Sequence, residues 1–134
     1  MSGQGTFEGV DGAWYEGQFS KNEINGTGKI TFKDGVTYEG QFLAGSPHGK
    51  GEFSYADGSK YNGDVKESKR SGWGVLTAAN GSIFEGEFLD NKMNGVVCVL
   101  EEGKTNYEYG LFVQGEFKKS IGEKQWKKEK KNKD

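Results

Sequence analysis

The sequence predicts an all-β protein: one elongated, twisted, single-layer antiparallel sheet of about five β-hairpin repeats, with a short basic C-terminal tail or helix. Three observations predict it. Glycines recur every 23 residues with no insertion, apolar and polar residues alternate on both sides of each turn, and Asp-Gly or Asn-Gly separates the two runs. The glycine columns are Gly3, Gly26, Gly49, Gly72, Gly95; Gly5, Gly28, Gly51, Gly74; Gly12, Gly35, Gly58, Gly81; and Gly17, Gly40, Gly63, Gly86. An aromatic column runs Tyr15, Tyr38, Tyr61, Phe84, Tyr107, and an apolar one runs Phe19, Phe42, Val65, Phe88, Leu111. So many columns in register mark a repeat protein.

The units fall near 3–25, 26–48, 49–71, 72–94 and 95–117. The sheet is expected over 3–111, with a capping strand and basic tail over 112–134. Within one unit Ile30 and Phe32, then Val36, Tyr38 and, after Gly40, Phe42 share a period of two. That is the spacing of strands with one covered face. Asp34-Gly35 between them is a strong hairpin signal. Parity then selects the loop. A two-residue loop would put Ile30 and Tyr38 on opposite faces. A three-residue loop, 33–35, pairs Phe32 with Val36, Ile30 with Tyr38 and Gly28 with Gly40, so every apolar side chain shares one face. Gly35 then takes the positive φ that glycine adopts cheaply. The other face collects Thr31, Thr37, Glu39 and Gln41, then Ser54, Lys60, Asn62 and Asp64, and is expected to be wet. Glycine opposite glycine leaves room for aromatic rings to lie across the backbone.

Composition agrees with one ordinary domain of 134 residues. Its 32% hydrophobic content, with 23 glycines, is near the usual globular share, and 18 aromatic residues argue against disorder. Net charge is −2, but residues 118–134 hold eight lysines against three acids, a balance of +5, which leaves −7 on the first 117. That asymmetry marks a candidate interaction tail. Cys98 is the single cysteine, so no internal disulfide is possible. The N-terminus lacks the pattern of a secretory signal, and no apolar run approaches the ~18 residues a membrane span needs. An intracellular, cytoplasmic, reducing setting is expected, in which the Asn25 and Asn80 sequons read as turns.

The segments 26–42, GTGKITFKDGVTYEGQF, and 49–65, GKGEFSYADGSKYNGDV, resemble the MORN (membrane occupation and recognition nexus) repeat family. Segments 3–19 and 72–88 are similar to it too. The fifth unit departs: Val97, Lys104 and Tyr109 stand where glycines recur, as in a terminal capping repeat. The resemblance implies a scaffold with an aromatic-lined groove for partners, of the kind found in cytoskeletal structures, axonemal radial spokes and membrane junctions. It implies lipid binding more weakly.

Catalytic chemistry is sparse. His48 is the only histidine and reads as a loop residue, and Cys98 reads as a small buried hydrophobe. One His and one Cys do not make a metal site alone. The GTGK at 26–29 lacks the remaining residues of a phosphate loop, with Glu23 and Ile30 at the decisive places. Glu16, Glu39 and Glu85 recur on the polar face, as solvated carboxylates do. No enzyme activity, cofactor or metal is expected.

The candidate partner-binding residues are therefore the aromatic stripe: Tyr15, Phe19, Phe32, Tyr38, Phe42, Phe53, Tyr55, Tyr61, Phe84 and Phe88. Uncovered by a second sheet, such a stripe would exceed an idle surface patch and would accept an extended peptide or helix from a protein partner. The alternative is that the rings only pack on one another as a thin core. The tail forms the second candidate. Residues 120–131 are expected to be a short helix, with Trp126 docking on the open end of the last repeat and shielding that edge. Trp126 with Lys127, Lys128, Lys130 and Lys131 would contact an acidic surface or anionic lipid. An acidic body without a basic groove argues against nucleic acid. Self-association through an exposed edge strand stays open. The function expected is a non-catalytic scaffold or adaptor in a cytoskeletal or ciliary (flagellar, axonemal) assembly; the alternative is a membrane-surface module.

Overall fold

The computed structural model describes residues 3–9, 12–20 and 23–133. Among them, eleven strands lie in chain order in one antiparallel sheet. They are β1 (Gly3–Glu8), β2 (Trp14–Ser20), β3 (Glu23–Thr31), β4 (Thr37–Leu43), β5 (Ser46–Ser54), β6 (Lys60–Lys66), β7 (Lys69–Thr77), β8 (Ile83–Leu89), β9 (Lys92–Leu100), β10 (Glu108–Val113) and β11 (Glu116–Ser120). One helix follows, α1 (Glu123–Lys133).

Two kinds of turn alternate along the sheet. The wide loop is the three-residue form that parity selects: Phe32 N donates to Val36 O at 2.8 Å and Gly35 N to Phe32 O at 3.0 Å. Gly35 has φ +92. The Asp34 carboxylate fixes the loop by accepting from Val36 N at 3.0 Å. The same pattern recurs at 55–59 and 78–82. In the first such loop, Val10 and Asp11 lie outside the described residues. The narrow turn joins one repeat to the next through two residues of positive φ, as at Ala44-Gly45, Glu67-Ser68 and Asp90-Asn91. That backbone matches the twist of the flanking strands.

Register follows the glycines. β3 pairs with β4 as Gly28↔Gly40 and Ile30↔Tyr38, and β2 pairs with β3 as Gly17↔Gly28. Each joint between repeats also carries a bulge, because Gln18 alone faces the stretch 25–27. The aromatic face holds the main core: Tyr15, Phe19, Tyr38, Phe42, Phe53, Tyr61, Val65 and Phe88. Tyr15, Tyr38 and Tyr61 are at most 1% exposed. The rings meet edge to face, as in Tyr15–Phe42 at 5.0 Å and Tyr38–Phe42 at 5.3 Å. Each such pair adds about 0.5–1.5 kcal/mol to the burial of its area.

Three expectations are corrected here. His48 lies within strand β5 and not in a loop. In the fifth unit the aromatic place falls to Glu108 and the second apolar place to Phe112, not to Tyr107 and Leu111. The reason is a loop one residue longer than its counterparts. Val99 pairs with Glu108, nine positions on, where Leu76 pairs with Phe84, eight on. Gly110, not Tyr109, thereby sits opposite Val97 in the glycine place. Finally, Trp126 does not shield the sheet edge; α1 packs on the face opposite the aromatic core, over β9 and β10.

The glycines differ in what they do, and stability measurements separate them. A Cβ at Gly51 would run into the ring and hydroxyl of Tyr38, whereas at Gly35 it would meet nothing within 4 Å. Gly51→Ala is expected to lose about 3 kcal/mol through overpacking, and Gly35→Ala about 1 kcal/mol through its backbone alone. Denaturant unfolding of both variants checks this, and equal losses would contradict it.

Candidate functional site

The aromatic face sorts the expected partner-binding rings into two groups. Tyr15, Phe19, Tyr38, Phe42, Phe53, Tyr61 and Phe88 are buried in the chain's own core. Phe32, Tyr55 and Phe84 are only half-buried and keep an edge at the surface. The buried tyrosines are held by their hydroxyls. Tyr15 donates to Gln18 O at 2.8 Å, Tyr38 to Gln41 O at 2.8 Å and Tyr61 to Asp64 O at 2.7 Å. Burial pushes the Tyr38 phenol up to about 12, against the smaller opposing effect of that bond, and raises Tyr15 and Tyr61 for the same leading reason. Such groups are structural anchors.

Around two of these rings, Phe32 and Tyr55, lies an open cleft of ≈ 360 Å³, lined also by Asp34, Val36, Phe53 and Arg70. Arg70 is the only arginine in the chain. Its guanidinium carbon is 5.5 Å from the Tyr55 centroid, 6.0 Å from Tyr61 and 5.8 Å from Phe88. Nη2 donates to Asn91 O at 2.5 Å, while the buried Nε has no partner among the described residues. Tyr55 follows a wide-loop strand and Arg70 follows a narrow turn, so opposite long edges of the sheet approach here across the aromatic face. Sequence reasoning missed Arg70. The signal was present in the column Ile24, Pro47, Arg70, Met93, where one cation interrupts apolar residues.

A second apolar cluster sits on the other face. Trp126, 6% exposed, packs with Val96 and Cys98, and with the half-buried Trp73, Tyr109 and Ile121. Its ring lies 6.0 Å from Trp73 and 5.5 Å from Tyr109. Lys130 turns inward to Glu85 at 2.9 Å and lies 5.0 Å from the Trp126 ring. The Tyr109 hydroxyl donates to Glu123 Oε1 at 3.0 Å. Of the expected tail contacts, Trp126 and Lys130 thus face the sheet. Lys127, Lys128 and Lys131 are exposed and are joined by Lys124 along one helical side.

A protein-family model for the MORN repeat matches residues 15–37, 38–60, 61–83 and 84–96, more than half of the chain. The chain belongs to the MORN repeat family. No match was found among curated proteins. The MORN repeat is a non-enzymatic module of protein and membrane interaction. Among the described residues, no group of three or more His, Cys, Asp or Glu could hold a metal ion, and no helix is long and apolar enough to cross a membrane.

The MORN match stops at residue 96, and the wet face has already begun to change within it, from Trp73 on. Wet-face columns that read Thr27 and Lys50, or Lys29 and Glu52, become Trp73 and Val96, or Val75 and Cys98. Strands β7 and β9 thereby carry apolar residues on both faces, as doubly covered strands do, while Glu85 and Glu87 of β8 stand between them on that second face. Burial beneath α1, with the Glu85 charge nearby, pushes the Cys98 thiol up to about 11. A thiol is far below its pKa at about pH 8 and reacts slowly there. Trp126→Ala, which undocks the helix, is expected to raise the rate of Cys98 labelling at least tenfold. Thiol-reagent kinetics on the two proteins read this directly, and unchanged rates would show that α1 does not shield Cys98.

Proposed function

We propose that this MORN-repeat chain is a non-catalytic scaffold or adaptor that seats a segment of a partner protein on its aromatic face. The observation that carries the reading is the cleft in which the chain's only arginine stands among half-buried rings. Phe32, Val36 and Tyr55 suit an apolar side chain, and the Arg70 guanidinium suits a carboxylate beside it. The occupant is an extended or helical acidic-apolar segment. A cytoskeletal or ciliary assembly in the cytoplasm is the setting that the MORN resemblance favours.

The buried tyrosines are poor probes of this site, since replacing them attacks the core. The better variant is Tyr55→Ser with Arg70→Met, because Met93 occupies the matching place in the next unit. Loss of two anchors of about 2 kcal/mol each would leave a captured partner undetectable after washing. Affinity capture from extract, with mass spectrometry and with circular dichroism as the folding control, measures it. An identical captured set from the folded variant would refute the aromatic-face site.

A second reading rests on the exposed row Lys124, Lys127, Lys128 and Lys131. At about 1 kcal/mol per lysine near an anionic surface, the row supplies about 4 kcal/mol, a millimolar affinity. Trp126 is committed to the sheet and adds no lipid anchor. The lysine row is therefore auxiliary, tilting an already held protein toward anionic membrane. Vesicles containing phosphatidylserine should sediment the wild-type chain at low salt and not the Lys124→Glu, Lys128→Glu variant. No sedimentation of either would remove the membrane reading.

A further inference from the structure

We propose that the outer edge of β1 is a strand-docking site for an extended partner segment of the type Tyr-x-Gly-Gln/Asp-Phe. The chemistry of that edge is displayed inside the molecule. Four joints, β2 to β3, β4 to β5, β6 to β7 and β8 to β9, bring one repeat onto the next, each with a donating and a receiving strand.

Two contacts recur at the joints beside the backbone ladder. The residue after the donating glycine accepts a bond from the receiving bulge: Gln18 Oε1 from Thr27 N at 2.8 Å, Gln41 Oε1 from Lys50 N at 2.8 Å, Asp64 Oδ2 from Trp73 N at 2.9 Å and Glu87 Oε1 from Val96 N at 3.4 Å. The donating tyrosine lies flat over the receiving glycine. A Cβ at Gly28, Gly51 or Gly74 would collide first with Tyr15, Tyr38 or Tyr61. The fourth joint shows the rule by changing both halves: Phe84 lacks the hydroxyl, and the receiving residue is Val97, fully buried.

β1 has the receiving form. Gly3 has φ +92, like Gly26 at +88 and Gly49 at +100. Gly5 pairs with Gly17 as Gly28 pairs with Gly40. Gln4 stands at the place of Thr27 and Lys50, whose N–H groups are the clamped donors. Yet among the described residues no strand pairs with this edge. A Cβ at Gly3 would meet nothing within 4 Å, while one at Gly26 would strike the Gln18 side chain. Phe7, beside the edge, is 52% exposed, whereas its counterpart Ile30 packs against the core. An unpaired strand edge is a ready template for strand addition. Every donating strand of the described residues is already paired, so the occupant comes from outside them, and Gly5 selects a tyrosine above it.

The test is titration of a fluorescent peptide copying residues 36–43, VTYEGQFL, with the 134-residue chain, read by anisotropy. Saturable one-to-one binding is expected. Gly40→Ala in the peptide should weaken it at least tenfold, because at the internal joint that Cβ would lie 2.5 Å from Gly51 Cα. Gly5→Val in the protein should weaken it as much and should still fold, since Val97 occupies the equivalent place. Circular dichroism checks folding, and Tyr38→Ala in the peptide probes the same contact on unaltered protein. The proposal is overturned by absence of binding, by binding indifferent to both peptide changes, or by full affinity in a folded Gly5→Val chain.

Discussion

The structure depends on one repeated contact, a tyrosine ring laid over a glycine of the following strand with its hydroxyl donated to a backbone carbonyl. It explains why the sheet stands without a second layer. A ring lying across the strands buries its own area, covers the ladder beneath and satisfies its polar end within four residues, as Tyr38 does with Gln41 O. Any side chain at the glycine would lift the ring away. Burial of a large aromatic is worth about 1.5–3 kcal/mol, and here it recurs at a fixed step, so stability accumulates along the chain as nearest-neighbour terms.

That economy leaves surfaces free and sets their character. The rings of the core are consumed by the fold, while Phe32, Tyr55 and Phe84, near the wide loops, keep an edge outside. Arg70 interrupts the apolar column just where the two long edges approach. The other face is wet over the first repeats and becomes a second core at the last ones, where α1 lies across Val96 and Cys98. Docking turns Trp126 and Lys130 inward and so arranges the remaining lysines outward. The same helix that completes the fold thereby presents the chain's basic surface.

Much of this was legible in the residues. Parity between Ile30 and Tyr38 selected the three-residue loop, and glycine facing glycine anticipated the register. Gln41 and Asp64 read as solvated because their alternation is that of an outer face, and Gln18 and Glu87 hold the same column. Their role as clamps depends on bulges that pairing reveals and alternation does not. The fifth unit was misaligned by one place because a longer loop shifts parity without leaving a motif behind. The conversion of the wet columns to Trp73, Val75, Val96 and Cys98 was visible, and it was the sign that something would cover that face.

By itself, then, the sequence determined the local and periodic features: the hairpin unit, its turn chemistry, the facing of the side chains in the first four units and the order of strands. These follow from interactions between residues close in the chain or one period apart. Only the tertiary structure decided how far the sheet curls, which rings stay accessible, and on which face α1 rests. Those outcomes arise from contacts such as Tyr55 with Arg70 and Trp126 with Trp73, whose partners no period relates and whose meeting depends on accumulated twist.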